Sequence, residues 1–269
     1  YKDLLQETMR RVLSSSSEWT KFLTLAARFY KYSFAEQLMI YAQQPNASAC
    51  AEPWIWQMLF RRQFRAGAKS IALLTDNDDL ALRYVFDIDE TRPTPESKAV
   101  YIWQLQRRHY NTVAEMLERN YRVPAGKELR EQLLRVADVA AQEYRSTGYG
   151  SYSLFDIGAK VRYNEGEEIL FSRAVAASVG YILLGRCALQ PSAAFRAEQF
   201  REISRFATPE KAAALGTAVS TVSELVLRQI ETSVKGFERS VAYGKDNLRG
   251  NGRDLSSRGR PTDSEHRDT

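Results

Sequence analysis

SFAEQLMIYAQQPNASACAEPWIWQMLFRRQFRAGAKSIALL (residues 33–74) decides how the rest of the chain is read, because it carries the most distinctive charge pattern present. No acidic residue falls between Pro53 and Thr75, while Arg61, Arg62, Arg65 and Lys69 lie within nine positions. Ser33 with Glu36 three residues on forms a capping box that opens a helix through Phe34, Leu38 and Tyr41. Pro45 closes it. A second helix is predicted from Pro53 to Gly67: at 100° per residue Trp56, Leu59, Phe60 and Phe64 share one side, and Arg61, Arg62 and Arg65 gather with Trp54 on the other. Gly67 ends it, Lys69 sits in the corner, and Ile71–Leu74 reads as a buried strand.

A cationic face beside an exposed aromatic suits a nucleic acid, since guanidinium groups pair with phosphates and an indole stacks on unpaired bases. The alternative for the same pattern is a solvated helix face with its aromatics in the core.

The runs Phe34, Gln37, Leu38, Ile40, Tyr41, Ala42, Gln43, Pro45 and Ala47, then Trp56, then Arg65, Gly67, Ala68, Lys69 and Ile71–Leu74, then RYVFDIDET (83–91), resemble the N-terminal region of ArdC-type antirestriction proteins. The branch concerned is the one found in very large proteins of conjugative elements from Gram-positive bacteria. SVGYILLGRC (178–187) and LGTAVS (215–220) extend the resemblance to about nine-tenths of the chain; Ser70 departs from it, standing where related sequences often have glycine. The resemblance implies binding to single-stranded DNA. It further implies a second, metallopeptidase-like domain. That chemistry needs two imidazoles one helical turn apart and a glutamate base, H-E-x-x-H. The chain has only His109, after Arg107 and Arg108, and His266 in the polar tail, so the second half is expected to be a degenerate relative without an active site.

Composition agrees with a globular, non-catalytic reading. The chain has 269 residues, 44% hydrophobic and 26% charged, enough for two modest domains. A formal charge of +5 and a pI near 9.1 are mild, so polyanion binding must come from local clustering. Cys50 and Cys187 have no partners at metal-ligand spacing, which excludes a disulfide framework or zinc finger, and nothing flanks either thiol that would lower its pKa. Phosphate-loop, dinucleotide and nucleophile-elbow motifs are absent. No cofactor and no metal are expected, and the carboxylates of Asp76, Asp78, Asp79, Asp87, Asp89 and Glu90 are read as turn chemistry. The most apolar stretch, 174–184, is too short to span a bilayer, and a cytoplasmic chain without membrane contact is expected.

The predicted architecture is α+β, predominantly α: a helical layer with a small antiparallel hairpin, then a mostly helical unit. Residues 1–123 form the DNA-binding domain, 124–242 the helical domain and 243–269 a disordered linker. Within the first, helices are expected before the serine run 14–17 and, with Ser15 and Glu18 as capping box, through Phe22, Leu25, Ala26 and Phe29. Strand 82–88 pairs with Ile71–Leu74 across a turn at 76–79, 99–103 briefly rejoins the sheet, and a helix carries Tyr110, Val113, Leu117 and Tyr121. Pro124-Ala125-Gly126 marks the break. Beyond it lie a helix over 127–145, a Gly- and Tyr-rich loop over 147–153, and a helix over 167–184, bracketed by Gly185 and Pro191, whose all-round apolarity means burial. A long helix then opens at Thr208-Pro209-Glu210. The start at Tyr1 and the polar tail suggest a piece of something larger. Two functions compete: a single-stranded DNA module built on Arg61, Arg62, Arg65, Lys69 and Trp54, or a helical scaffold that docks a partner or other domains of the same polypeptide.

Overall fold

The structure is a computed structural model that describes residues 1–74, 82–126, 128–146, 164–190 and 198–254. The capping logic holds at the N-terminal end. Helix α1 (Lys2–Val12) is followed by α2 (Ser16–Arg28), whose Ser15 hydroxyl accepts from the Glu18 N–H, and by α3 (Phe34–Gln43), where the Ser33–Glu36 box is closed in both directions. Each satisfies N–H groups that a helix start leaves without a partner. Phe22, Leu25, Ala26, Phe34 and Leu38 are buried between these helices.

Two small antiparallel sheets follow. Strand β1 (Cys50–Ala51) and β3 (Ile71–Leu74) flank β4 (Leu82–Asp87), with Ile71 opposite Val85 and Cys50 opposite Asp87. The hairpin is therefore present, and its turn at Asp76, Asp78 and Asp79 lies outside the described residues. The free edge of β3 is covered from α3: the Gln43 amide donates to the Ala72 carbonyl at 2.8 Å and accepts from its N–H at 3.0 Å. A side chain thus stands in for a missing strand. The second sheet is a ribbon of β2 (Gln63–Phe64) and β5 (Thr91–Arg92), with Gln63 opposite Arg92.

That ribbon corrects the predicted helix over 53–67. Only Pro53–Leu59 is helical there, two α-helical residues running into one π-type turn, Ile55–Leu59. Its end is a left-handed stop: Arg61 has φ 53°, and the Arg62 N–H reaches back to the Trp56 carbonyl at 2.8 Å. The apolar spacing that suggested a helix has other partners. Trp56 is buried and its indole N–H donates to the Phe86 carbonyl, Phe64 packs on Phe86 with centroids 4.4 Å apart, and Leu59 is exposed. Residues 99–103 do not rejoin the sheet either; Trp103 is buried instead, donating to the Tyr30 hydroxyl at 3.0 Å.

The remaining helices are α4 (Tyr110–Tyr121), α5 (Leu129–Ser146), α6 (Glu165–Arg186) and α7 (Pro209–Asp254). The loop over 147–153 and Pro191 lie outside the described residues. Helix α6 is long and apolar enough to cross a membrane, yet its apolar half is enclosed by α2, α5 and α7, so it serves as the central core helix. Helix α7 runs on to Asp254, past the position 243 where a linker is expected; extending a helix from a long upstream segment needs no new nucleus. Residues 255–269 lie outside the described residues.

The buried residues on both sides of the expected boundary at 123/124 belong to one contiguous core that runs from Phe22 and Leu38 to Val179 and Val226. Polar bonds cross it as well. The Trp19 indole donates to Ser178 Oγ at 3.0 Å, and Tyr30 donates to Glu231 at 2.6 Å. Gly216 of α7 faces the Phe34 ring so closely that a Cβ there would lie 2.3 Å from it.

Candidate nucleic-acid interface

The basic residues are gathered by the ribbon, not by a helix face. Segment 89–92 is the common anchor. Arg62 Nε donates to Thr91 Oγ1 at 2.7 Å, Arg65 Nε donates to the Asp89 carbonyl at 2.8 Å, and the Lys69 N–H donates to the Glu90 carboxylate at 2.9 Å. Arg61 stands at the stop of the π-type turn, 3.7 Å from the exposed carboxylate of Glu96. Arg61, Arg65 and Lys69 are exposed, whereas Arg62 is half-buried and its guanidinium is committed to Thr91. The anchors of Arg62 and Arg65 are neutral hydroxyl and carbonyl groups, which orient a guanidinium without cancelling its charge, whereas Arg61 faces the Glu96 carboxylate.

Trp54 behaves differently. It is exposed as expected, but its indole N–H donates to Glu52 at 2.7 Å, and Glu52 in turn pairs with Arg83 at 3.1 Å. Its polar contacts thus tie it to the Glu36–Arg83–Glu52 chain, while those of the four cations lead to 89–96.

Arg92 escaped the sequence reading. It lies 23 positions beyond Lys69, and strand pairing alone sets it opposite Gln63, whose amide oxygen accepts from its guanidinium at 3.0 Å. The only signal available was that Arg92 follows directly on the 83–91 motif. Loop 94–98 was missed for the same reason. It is laced to the turn by Thr94 Oγ1 and Ser97 Oγ, which donate to the Arg61 carbonyl at 3.0 and 2.7 Å, and by the Lys98 N–H, which donates to the Phe60 carbonyl at 3.0 Å. Between turn and loop lies an open groove of about 710 Å³ lined by Gln57, Arg61, Arg62, Gln63, Phe64 and residues 94–96.

The other groups considered from sequence have structural occupations. Asp87 is fully buried and accepts from the N–H groups of Ser48, Ala49 and Asp89. His109 is buried, with Nδ1 accepting from the Gln106 N–H and Nε2 bonded to Glu238. Burial pushes the Cys187 thiol up to about 12; burial, and then Asp87, push Cys50 up as well. Both therefore stay protonated and poorly nucleophilic near neutral pH. Among the described residues no group of three His, Cys, Asp or Glu side chains could hold a metal ion. Compared with protein-family models, curated proteins and solved structures, the chain matches none.

Proposed function

We propose that the chain is a non-catalytic, cytoplasmic nucleic-acid-binding module that takes single-stranded DNA along the ribbon corner, as the resemblance to ArdC-type antirestriction proteins of conjugative elements implies. Residues 124–242 then serve as a degenerate, metallopeptidase-like helical unit that supports the corner. Arg61, Arg65, Lys69 and Arg92 meet phosphates, Arg62 holds the ribbon in shape, and Trp54, held by Glu52, offers a stacking surface.

The observation that carries this reading is Arg61. A left-handed residue at a helix stop is usually glycine, and any other side chain costs roughly 1 kcal/mol there. The chain nevertheless holds an arginine in that conformation, with its carbonyl fixed by two hydroxyls and its side chain exposed. Arg122 and Ala188 take the same conformation at the ends of α4 and α6; what sets Arg61 apart is that its side chain lines an open groove, and strain at such a place motivates a functional reading. Arg61→Gly is expected to leave the melting temperature within the equivalent of about 1 kcal/mol of the parent while weakening single-stranded DNA binding. Replacing Arg61 and Arg65 together with alanine flattens the log–log salt dependence by up to about 1.4 and weakens all sequences alike. Fluorescence anisotropy with labelled oligonucleotides reads both effects, and an unchanged affinity in the double variant moves the site elsewhere.

A further inference from the structure

The groove beside Arg61 holds chemistry that phosphate binding does not use. Its lining includes Glu96, an exposed carboxylate 3.7 Å from the Arg61 guanidinium, which would repel a phosphate brought into the groove. Gln63 lines the same groove, and because its amide oxygen is taken by Arg92, its N–H groups are left as donors. Phe64 is fixed by its packing on Phe86, and with Pro95 it gives the groove apolar surface. Both walls are rigidly joined, since Thr94 and Ser97 bond the Arg61 carbonyl and Lys98 bonds that of Phe60.

We infer that this groove takes one unpaired base of the bound strand and that Glu96 makes it favour guanine. The inference rests on the proposed single-stranded DNA function and adds base preference to it. Guanine presents two neighbouring donors, N1–H and N2–H, on its Watson–Crick edge, which match the two oxygens of one carboxylate, and beside them the O6 acceptor, which matches the Gln63 amide N–H. Thymine turns two carbonyl oxygens and a single N–H to the same wall. Unpaired bases expose this edge for reading, and an aromatic ring offers them a stacking platform. Arg61, lining the same groove, sits where a flanking phosphate of such a base would pass.

The test uses three labelled strands of about twelve nucleotides, a length suited to a single binding platform. One is oligothymidine, the second carries a single central guanine, and the third carries hypoxanthine there, which lacks the N2 amino group. Anisotropy at low salt is expected to show the guanine strand bound about five- to tenfold more tightly than oligothymidine, with hypoxanthine losing most of that gain. In Glu96→Ala, at a residue exposed enough to leave the fold untouched, the guanine-to-thymine ratio is expected to fall to about one. Equal affinities for all three strands in the parent protein, or a ratio that survives in Glu96→Ala, overturn the inference while leaving the DNA function standing. Failure to bind any of the strands overturns both.

Discussion

The ribbon corner and the helical core are built on opposite terms. In the core, buried apolar stripes from α1, α2, α3, α5, α6 and α7 meet, and a few polar bonds cross between them, as from Trp19 to Ser178 and from Tyr30 to Glu231. In the corner, short strands and a single helical turn are held by hydrogen bonds between positions about thirty residues apart, and charged side chains are left facing water. The core owes its stability to area removed from water, which tolerates little change in volume. The corner owes its shape to a few directional bonds, each contributing about 1 kcal/mol. The difference shows where the molecule can afford function: the core supplies rigidity, and the corner supplies exposed charge on that rigid support.

The largest expected effect sharpens this contrast. Trp19→Ala removes a fully buried indole that stacks on Phe22 and bonds Ser178, and is expected to destabilise the fold by about 3–5 kcal/mol in denaturant unfolding. A cost below about 1 kcal/mol would mean that the two halves do not share one core.

Asp87 stands at the seam between the two regimes. Asp87→Ala leaves the N–H groups of Ser48, Ala49 and Asp89 without their acceptor and is expected to cost about 2–3 kcal/mol, with the ribbon loosened before the helices. Hydrogen exchange resolves the two. Uniform loss of protection across corner and core would break the distinction drawn between them.

A smaller effect concerns acid. Burial works to raise the Glu231 carboxyl, yet hydrogen bonds from Lys235, Lys31 and Tyr30 outweigh it and bring it down to about 2 from an ordinary 4.5. A carboxyl lowered in the folded state stabilises that state fully above its unfolded value, and the contribution disappears as pH falls through the folded one. Stability is therefore expected to decline between about pH 5 and pH 2. Glu231→Gln should lower stability at neutral pH by about 2 kcal/mol and flatten that decline. Parallel acid limbs in the two proteins, followed by thermal melts, would remove Glu231 from the account.

Much of the core was legible in the sequence because its signals are local. Ser33 and Glu36 announce α3, Thr208-Pro209-Glu210 announces α7, and the run of Leu, Val and Ile positions spaced at helical period marks the buried faces. The four consecutive apolar residues Ile71–Leu74, all buried, read correctly as a buried strand. The corner was not legible, since its partners are distant. Trp56, Phe60 and Phe64 have the spacing of a helix face, and only the meeting of Phe64 with Phe86, of the Trp56 indole with the Phe86 carbonyl and of Gln63 with Arg92 makes a ribbon the better arrangement. Local propensity loses there to tertiary pairing. The residues named for the site therefore stand in a different geometry from the predicted helix face: Arg61, Arg65 and Lys69 are exposed, Arg62 turns inward, Trp54 is tied to Glu52, and Arg92 lies across the ribbon from Gln63. Even Gly67 keeps its positive φ, 74°, in the turn before β3 instead of at a helix end.

The central claim is that the corner is an electrostatic site for a single strand, and the salt dependence of binding tests it most directly. Each phosphate neutralised on a single strand contributes roughly −0.7 to the slope of log affinity against log salt, so four exposed cations predict a slope of about −3. Anisotropy titrations of the full chain with a labelled single strand, from low to moderate salt, should return that value, with weaker binding to the same sequence as a duplex. A folded protein that shows no binding at low salt, or a binding that salt leaves unchanged, would contradict the account and favour a helical docking scaffold.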